Sequence, residues 1–212
     1  MHQKNPRTRG SLPRRLFQLY AGLALYGVGI GLAVEAGLGL SPWDVLHEGL
    51  AKRVGLSIGA WVIIVGALVM LLWIPLRQRP GLGTVSNVII LGLVADATIA
   101  LVPTPQSWPA QWFLLAAGVA VEAAATGAYI GAGFGPGPRD GLMTGLARRG
   151  LSIRVARTLV ELSALAAGWL LGGTVGVGTL AFAFAIGPLT QVFMPLFARR
   201  PRETPAPAPA HP

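Results

Sequence analysis

The sequence predicts an all-α membrane protein. It would have about six transmembrane helices in two three-span repeats, inverted relative to each other, each with a short amphipathic or re-entrant helix. Three observations predict this. Of 212 residues, 53% are hydrophobic and only 12% are charged, where a soluble domain carries roughly 25% charged residues. Apolar runs long enough to cross a bilayer alternate with short basic clusters. The segment 37–58 recurs at 133–153.

The apolar runs come first. Residues 1–15 are polar and basic and read as a cytoplasmic tail, and residues 16–34 carry no charge and read as a retained first span. That run is too long for a signal-peptide core, and no A-x-A site follows it. Residues 58–76 are nineteen residues without a charge, about 28 Å as a helix, enough to cross hydrocarbon. The third span is 84–102, interrupted by Asp96, and the fourth is 110–130, interrupted by Glu122. The fifth is 153–171, with Arg154, Arg157 and Glu161, and the sixth is 179–197, without a charge. The membrane repeats therefore run 16–103 and 104–198, and the Pro/Ala-rich stretch 199–212 reads as a disordered cytoplasmic tail.

The formal net charge is +9, from 17 Lys and Arg against 8 Asp and Glu. The basic residues are not gathered into a nucleic-acid-binding domain. They fall between apolar runs, at Arg14 and Arg15, Arg77 and Arg79, Arg148 and Arg149, and Arg199 and Arg200. With the amino terminus inside, only Lys52 and Arg53 of the 17 lie outside. The positive-inside rule thus predicts both termini in the cytoplasm. The chain has no cysteine, which excludes disulfides, thiolate metal sites and cysteine nucleophiles. Two of its three histidines, His2 and His211, lie in the tails. No metal site and no cofactor is expected.

The repeat is dense. GLGLSPWDVLHEGLAKRVGLSI aligns with GFGPGPRDGLMTGLARRGLSI after one deletion opposite Val54. Gly37, Gly39, Pro42 and Asp44 meet Gly133, Gly135, Pro138 and Asp140, and downstream Gly81 and Thr84 meet Gly176 and Thr179. Each motif reads as a helix start. Ser41 can cap, Pro42 fits the first turn, and Asp44 stands where a capping-box acid would reach back. In the second copy Gly137 is the weaker cap. Gly55 and Gly150 suit left-handed carboxy-terminal caps. Each unit then has three spans, an odd number, so the second enters the membrane upside down. Inverted repeats with short or broken helices recur in secondary transporters. A re-entrant helix is tolerated only where protein or a watery cavity surrounds it.

The repeated G-x-G-x-x-P-x-D, with R-x-G-L-S-I after it and R-Q-R-P-G-L-G-T between spans, resembles the bacterial YczE/YyaS/YitT family of membrane proteins, and within it the YczE-like branch. The resemblance covers roughly residues 15–197. It implies a multi-pass protein of the bacterial cytoplasmic (inner) membrane. It carries over no catalytic or substrate-binding residue.

Several side chains are candidates for a substrate or ion path. Asp44 and Asp140 occupy equivalent positions, and capping alone could account for them. Asp96 and Glu122 lie mid-span, where ionisable groups are costly and face an interior or a partner. They could couple protons or cations to transport, or hydrogen-bond structurally to Asn87, Tyr26 or Gln191. Arg139, opposite Trp43 in the repeat, could join the backbone N–H groups of the glycine-rich loops in holding an anion. The simpler account of Gly37, Gly39, Gly133 and Gly135 is tight re-entry and close packing. Glu161 lies one turn from Arg157 and can pair with it. Gly27-x-x-x-Gly31 and Gly127-x-x-x-Gly131 favour close helix contact, within the chain or across a homodimer.

These features predict a permease for a small solute or ion in the lipid bilayer. The alternative is a non-transporting membrane partner that regulates an envelope or biosynthetic protein. An enzyme is not expected: no H-E-x-x-H or G-x-S-x-G occurs, and His47-Glu48 lacks a second histidine.

Overall fold

The computed structural model describes residues 11–197. Among them the chain forms eight helices and no strand. They are α1 (Leu12–Ala36), α2 (Pro42–Val54), α3 (Ile58–Leu71), α4 (Leu82–Leu101), α5 (Trp108–Ala132), α6 (Pro138–Ala147), α7 (Ile153–Leu170) and α8 (Val177–Phe197). Four of these, α1, α4, α5 and α8, are long and apolar enough to cross a membrane. The pair α2 and α3, bent by 114° at the break between them, is a fifth candidate. The expected tail at 199–212 lies outside the described residues.

Two boundaries differ from the sequence expectation. Helix α1 begins at Leu12, so Arg14 and Arg15 belong to it rather than to a tail. The expected second span, 58–76, is helical only to Leu71, after which residues 72–77 form turns. Pro75 explains the early stop. It has no N–H to donate, and its ring would collide with the carbonyl four residues back, that of Leu71. The 14 residues of α3 span about 21 Å, short of a typical hydrocarbon core. The turn swings Trp73 inward to 2% exposure. There its indole N–H donates to Pro138 O at 3.0 Å.

The bundle is built around α1 and α5, which run antiparallel. Gly22 of α1 lies against Ala125, Ala128 and Tyr129 of α5, and Gly29 lies against Glu122 and Gly118. In turn Gly118 lies against Gly29, Leu32 and Ala33. Helix α4 runs parallel to α1, with Gly27 on Val94 and Gly31 on Thr98. Helix α8 runs parallel to α5, with Gly127 on Met194 and Gly131 on Phe197. Both small-residue pairs are therefore used for contacts inside the chain, where a missing Cβ lets backbones approach.

The short helices pack across the middle: α2 lies mainly on α7 and also on α3, and α6 lies on both α7 and α3. Their entry loops cross over as well. Gly39, at φ 112°, sits against Gly176 and Thr179 at the start of α8. Gly135, at φ 117°, sits against Gly81 and Thr84 at the start of α4. Gly178 N donates to Leu38 O at 2.7 Å, and Gly83 N donates to Phe134 O at 2.9 Å. A side chain at either loop glycine would need both a disfavoured backbone and space that another segment fills.

One difference between the halves has a plain cause. Helix α3 crosses α4 closely because Gly59 meets Gly92, where a Cβ on Gly59 would lie 2.1 Å from Gly92 O. Arg154 and Glu161 of α7 stand where Gly59 and Gly66 of α3 stand in the aligned sequence, and nothing approaches Gly187 of α8. Helices α7 and α8 consequently stand apart, with a cavity of about 280 Å³ between them and α5 and α6.

Side-chain hydrogen bonds tie the helix ends together at both faces. At one face Arg15 donates to Ala132 O and Gln18 to Ala128 O and Phe197 O, so the start of α1 meets the ends of α5 and α8. At the other, Lys52 donates to Gly172 O and Arg53 to Leu171 O.

Candidate functional site

Polar side chains converge where α1 and α5 cross, and the two short helices deliver most of them. Ser41 caps α2 as expected, accepting from Asp44 N at 3.3 Å. The Asp44 carboxylate does not reach back to the backbone. It accepts from Ser41 Oγ at 2.5 Å and lies 3.4 Å from His47 Nδ1. All three residues are buried, with Asp44 at 4% and His47 at 6% exposure.

Helix α6 begins at Pro138 without a side-chain cap, and its next two residues face different partners. Arg139 donates to the Tyr26 hydroxyl of α1, with its guanidinium 5.6 Å from the ring centre. Asp140 accepts from the Tyr129 hydroxyl of α5 at 2.9 Å. Tyr26 and Tyr129 meet edge to face at 6.2 Å. Two turns before Tyr129 on α5, Glu122 is only 1% exposed, and neither carboxylate oxygen makes a hydrogen bond of ordinary geometry. Tyr26, Asp44 and Arg139 are its polar neighbours. An acid in such a place costs free energy that packing elsewhere must offset.

Four of the sequence candidates are thus brought into one group, with Asp44 and Glu122 buried and Arg139 and Asp140 half-buried. Asp96 is not among them. It lies on α4, where it accepts from Ser57 Oγ at 2.6 Å and Gly59 N at 2.7 Å. It ties down the start of α3 instead of bonding to Asn87, Tyr26 or Gln191. Asp96→Ala is expected to cost about 0.5–2 kcal/mol, the range for a lost helix cap. Thermal unfolding of the purified protein checks this, with solute binding or flux expected to stay at the wild-type level. Arg157 and Glu161 form the expected intrahelical pair at 3.0 Å.

In the glycine-rich loops the N–H groups of Gly37, Leu40 and Gly133 donate within the chain, to Val34 O, Thr174 O and Ile130 O. Leu38 O and Phe134 O accept from the opposite half, and Gly37 and Gly133 serve as left-handed caps of α1 and α5. Sequence reasoning missed His47 and Tyr129. The only available signal for His47 was its place three residues after Asp44, on the same helix face.

Two cavities flank the group. The smaller, about 70 Å³, is bounded by Trp43, Asp44, Asn87 and Arg139 on its polar side and by valines of α3 on the other. The larger is the one between α7 and α8, lined by Asp140, Arg157 and Glu161 among others. Tyr129 and Arg139 belong to both walls.

Comparison with known proteins is consistent along most of the chain. An uncharacterized protein of Haemophilus influenzae is 39% identical over 180 residues, covering 84% of this chain and 83% of the relative. The uncharacterized membrane protein YczE of Bacillus subtilis is 32% identical over 179 residues, covering 83% of each. The uncharacterized protein YyaS of the same organism is 30% identical over 185 residues, covering 84% of this chain and 91% of the relative. No solved structure matches significantly. Residues 13–195 match a family of unknown function, DUF6198, and the chain belongs to that family, alongside YczE and YyaS.

Proposed function

We propose that this chain is a multi-pass protein of the bacterial cytoplasmic membrane that carries a small solute or ion. It does so through two inverted three-span units, with both termini on the cytoplasmic side. The observation that carries this reading is the polar layer of Arg139 and Tyr129, which border both cavities, with Asp140 bonded to Tyr129 on the side of the larger one. A transporter needs a site reachable from two sides and closed between them.

Further features support it. The antiparallel crossing of α1 and α5 and the exchanged packing of α2 and α6 are what inverted units would produce. The face holding the start of α1 has Arg15 over Phe134, and Phe134 meets the start of α4 just after Arg77 and Arg79, whereas Lys52 and Arg53 lie at the opposite face. Helix α8 contains Gly187-Pro188, where α4 has Gly92-Leu93. A proline inside a helix frees a backbone carbonyl and permits bending. The site is read as one for binding and translocation rather than for chemistry on the solute.

Flux assays test the reading. The full chain in proteoliposomes is expected to move at least one member of a panel of small ions and metabolites above empty-vesicle rates. Glu122→Gln is expected to fold normally and to slow that flux by about tenfold or more, since an isosteric amide keeps the shape but cannot exchange a proton. No flux for any solute, together with stable co-purification of one membrane partner, would favour the regulatory alternative.

A further inference from the structure

The smaller cavity has a definite chemistry. Its volume, about 70 Å³, has room for roughly five water-sized groups. One wall is apolar, formed by Val62, Val65, Val88 and Leu91. The polar wall is rich in donors. Arg139 makes one hydrogen bond, to Tyr26, out of five guanidinium N–H groups. Tyr26 accepts that bond, and its own O–H is directed at Glu122. Asn87 adds a side-chain amide.

Trp43 points most directly to a ligand. It is 9% exposed, it lines the cavity, and its indole N–H has no partner. A buried donor without an acceptor costs about 1–3 kcal/mol, and a bound acceptor would remove that cost. The acid in the same wall is already served: Asp44 accepts from Ser41 and has His47 beside it. The uncapped start of α6 adds a positive helix end at Gly137 and Pro138.

We propose that the cavity between α2, α3, α4 and α6 binds a short-chain carboxylate of about five non-hydrogen atoms. Its oxygens meet Arg139 and the Trp43 indole N–H, and its alkyl end lies on the valines of α3. This deepens the transport reading by naming the solute class, but binding is measured without flux, so the two can fail separately.

Titration of the purified full chain in detergent tests it, with propionate, ethylammonium, alanine and chloride as probes. Propionate is expected to bind and to raise the unfolding temperature. Trp43→Phe, which keeps a ring but removes the N–H, is expected to weaken binding about 3- to 10-fold, the worth of one hydrogen bond. Arg139→Lys, which keeps the charge but loses the planar fork, is expected to weaken it about tenfold or more. Size-exclusion profiles show that each variant is folded. Tighter binding of ethylammonium, alanine or chloride than of propionate would overturn the proposal. So would no propionate binding, or binding that both folded variants leave unchanged. Propionate binding without propionate flux would keep this site and count against transport.

Discussion

Arg139→Gln is expected to be among the most damaging single changes in this protein. The guanidinium is set among Glu122, Asp140, Asp44 and two tyrosines. Removing it leaves the buried Glu122 and the half-buried Asp140 without that opposite charge. Breaking a buried charge arrangement by deleting one partner costs about 3–5 kcal/mol. The expected result is a large fall in unfolding temperature and in the yield of monodisperse protein. Adding Asp140→Asn removes one of the stranded charges, so the double variant is expected to recover part of the loss. A double-mutant cycle on thermal unfolding measures that coupling. Strict additivity of the two changes would mean that Arg139 and Asp140 do not interact.

The second large effect is expected at Gly168, where α7 meets α2. A Cβ there would lie 2.4 Å from Leu46 N and 2.5 Å from the Val45 carbonyl carbon. Both are backbone atoms, so no change of rotamer can make room. Gly168→Leu must push α2 away from α7, and with it Asp44 and His47. Overpacking typically costs about 1–3 kcal/mol and more where the backbone has to move. We expect Gly168→Leu to abolish the folded state or to lower its unfolding temperature by more than ten degrees. Gly187→Leu is the control, because nothing lies within 4 Å of a Cβ there. Circular dichroism melts of the two variants give the comparison.

The sequence made the helices legible because glycine, proline and charge mark their ends. Pro42 and Pro138 open α2 and α6, and Gly37, Gly55 and Gly133 close the helices before them. The stop after Leu71 was also written in the sequence, at Pro75, but an uninterrupted apolar run concealed it. Partners were much less legible. Periodicity tells which face of α2 is apolar, not that this face meets α7 of the other half. That choice depends on Gly49 and Gly168, which lie 119 positions apart and allow a close approach only to each other's segments.

The candidate site shows the same limit. Asp44, Asp140, Glu122 and Arg139 stood out as costly residues in apolar surroundings. Their meeting depends on α1 crossing α5 in an antiparallel sense, which places Tyr26 and Glu122 at one level. Asp96 looked equivalent to Glu122 in sequence, since both interrupt a span. What separates them is the neighbouring backbone: Gly59 presents an N–H to Asp96, while the nearest backbone to Glu122 is the glycine-lined crossing with α1.

The central claim is that the two halves enter the membrane in opposite senses. Because the chain has no cysteine, single cysteines can report it directly in intact cells. Val54 at the end of α2 is 60% exposed, and Arg148 just after α6 is also exposed. A membrane-impermeant thiol reagent is expected to label Val54→Cys in intact cells and to label Arg148→Cys only after permeabilisation. Labelling of both from outside, or of both only after permeabilisation, would contradict inverted halves and remove the structural basis for transport.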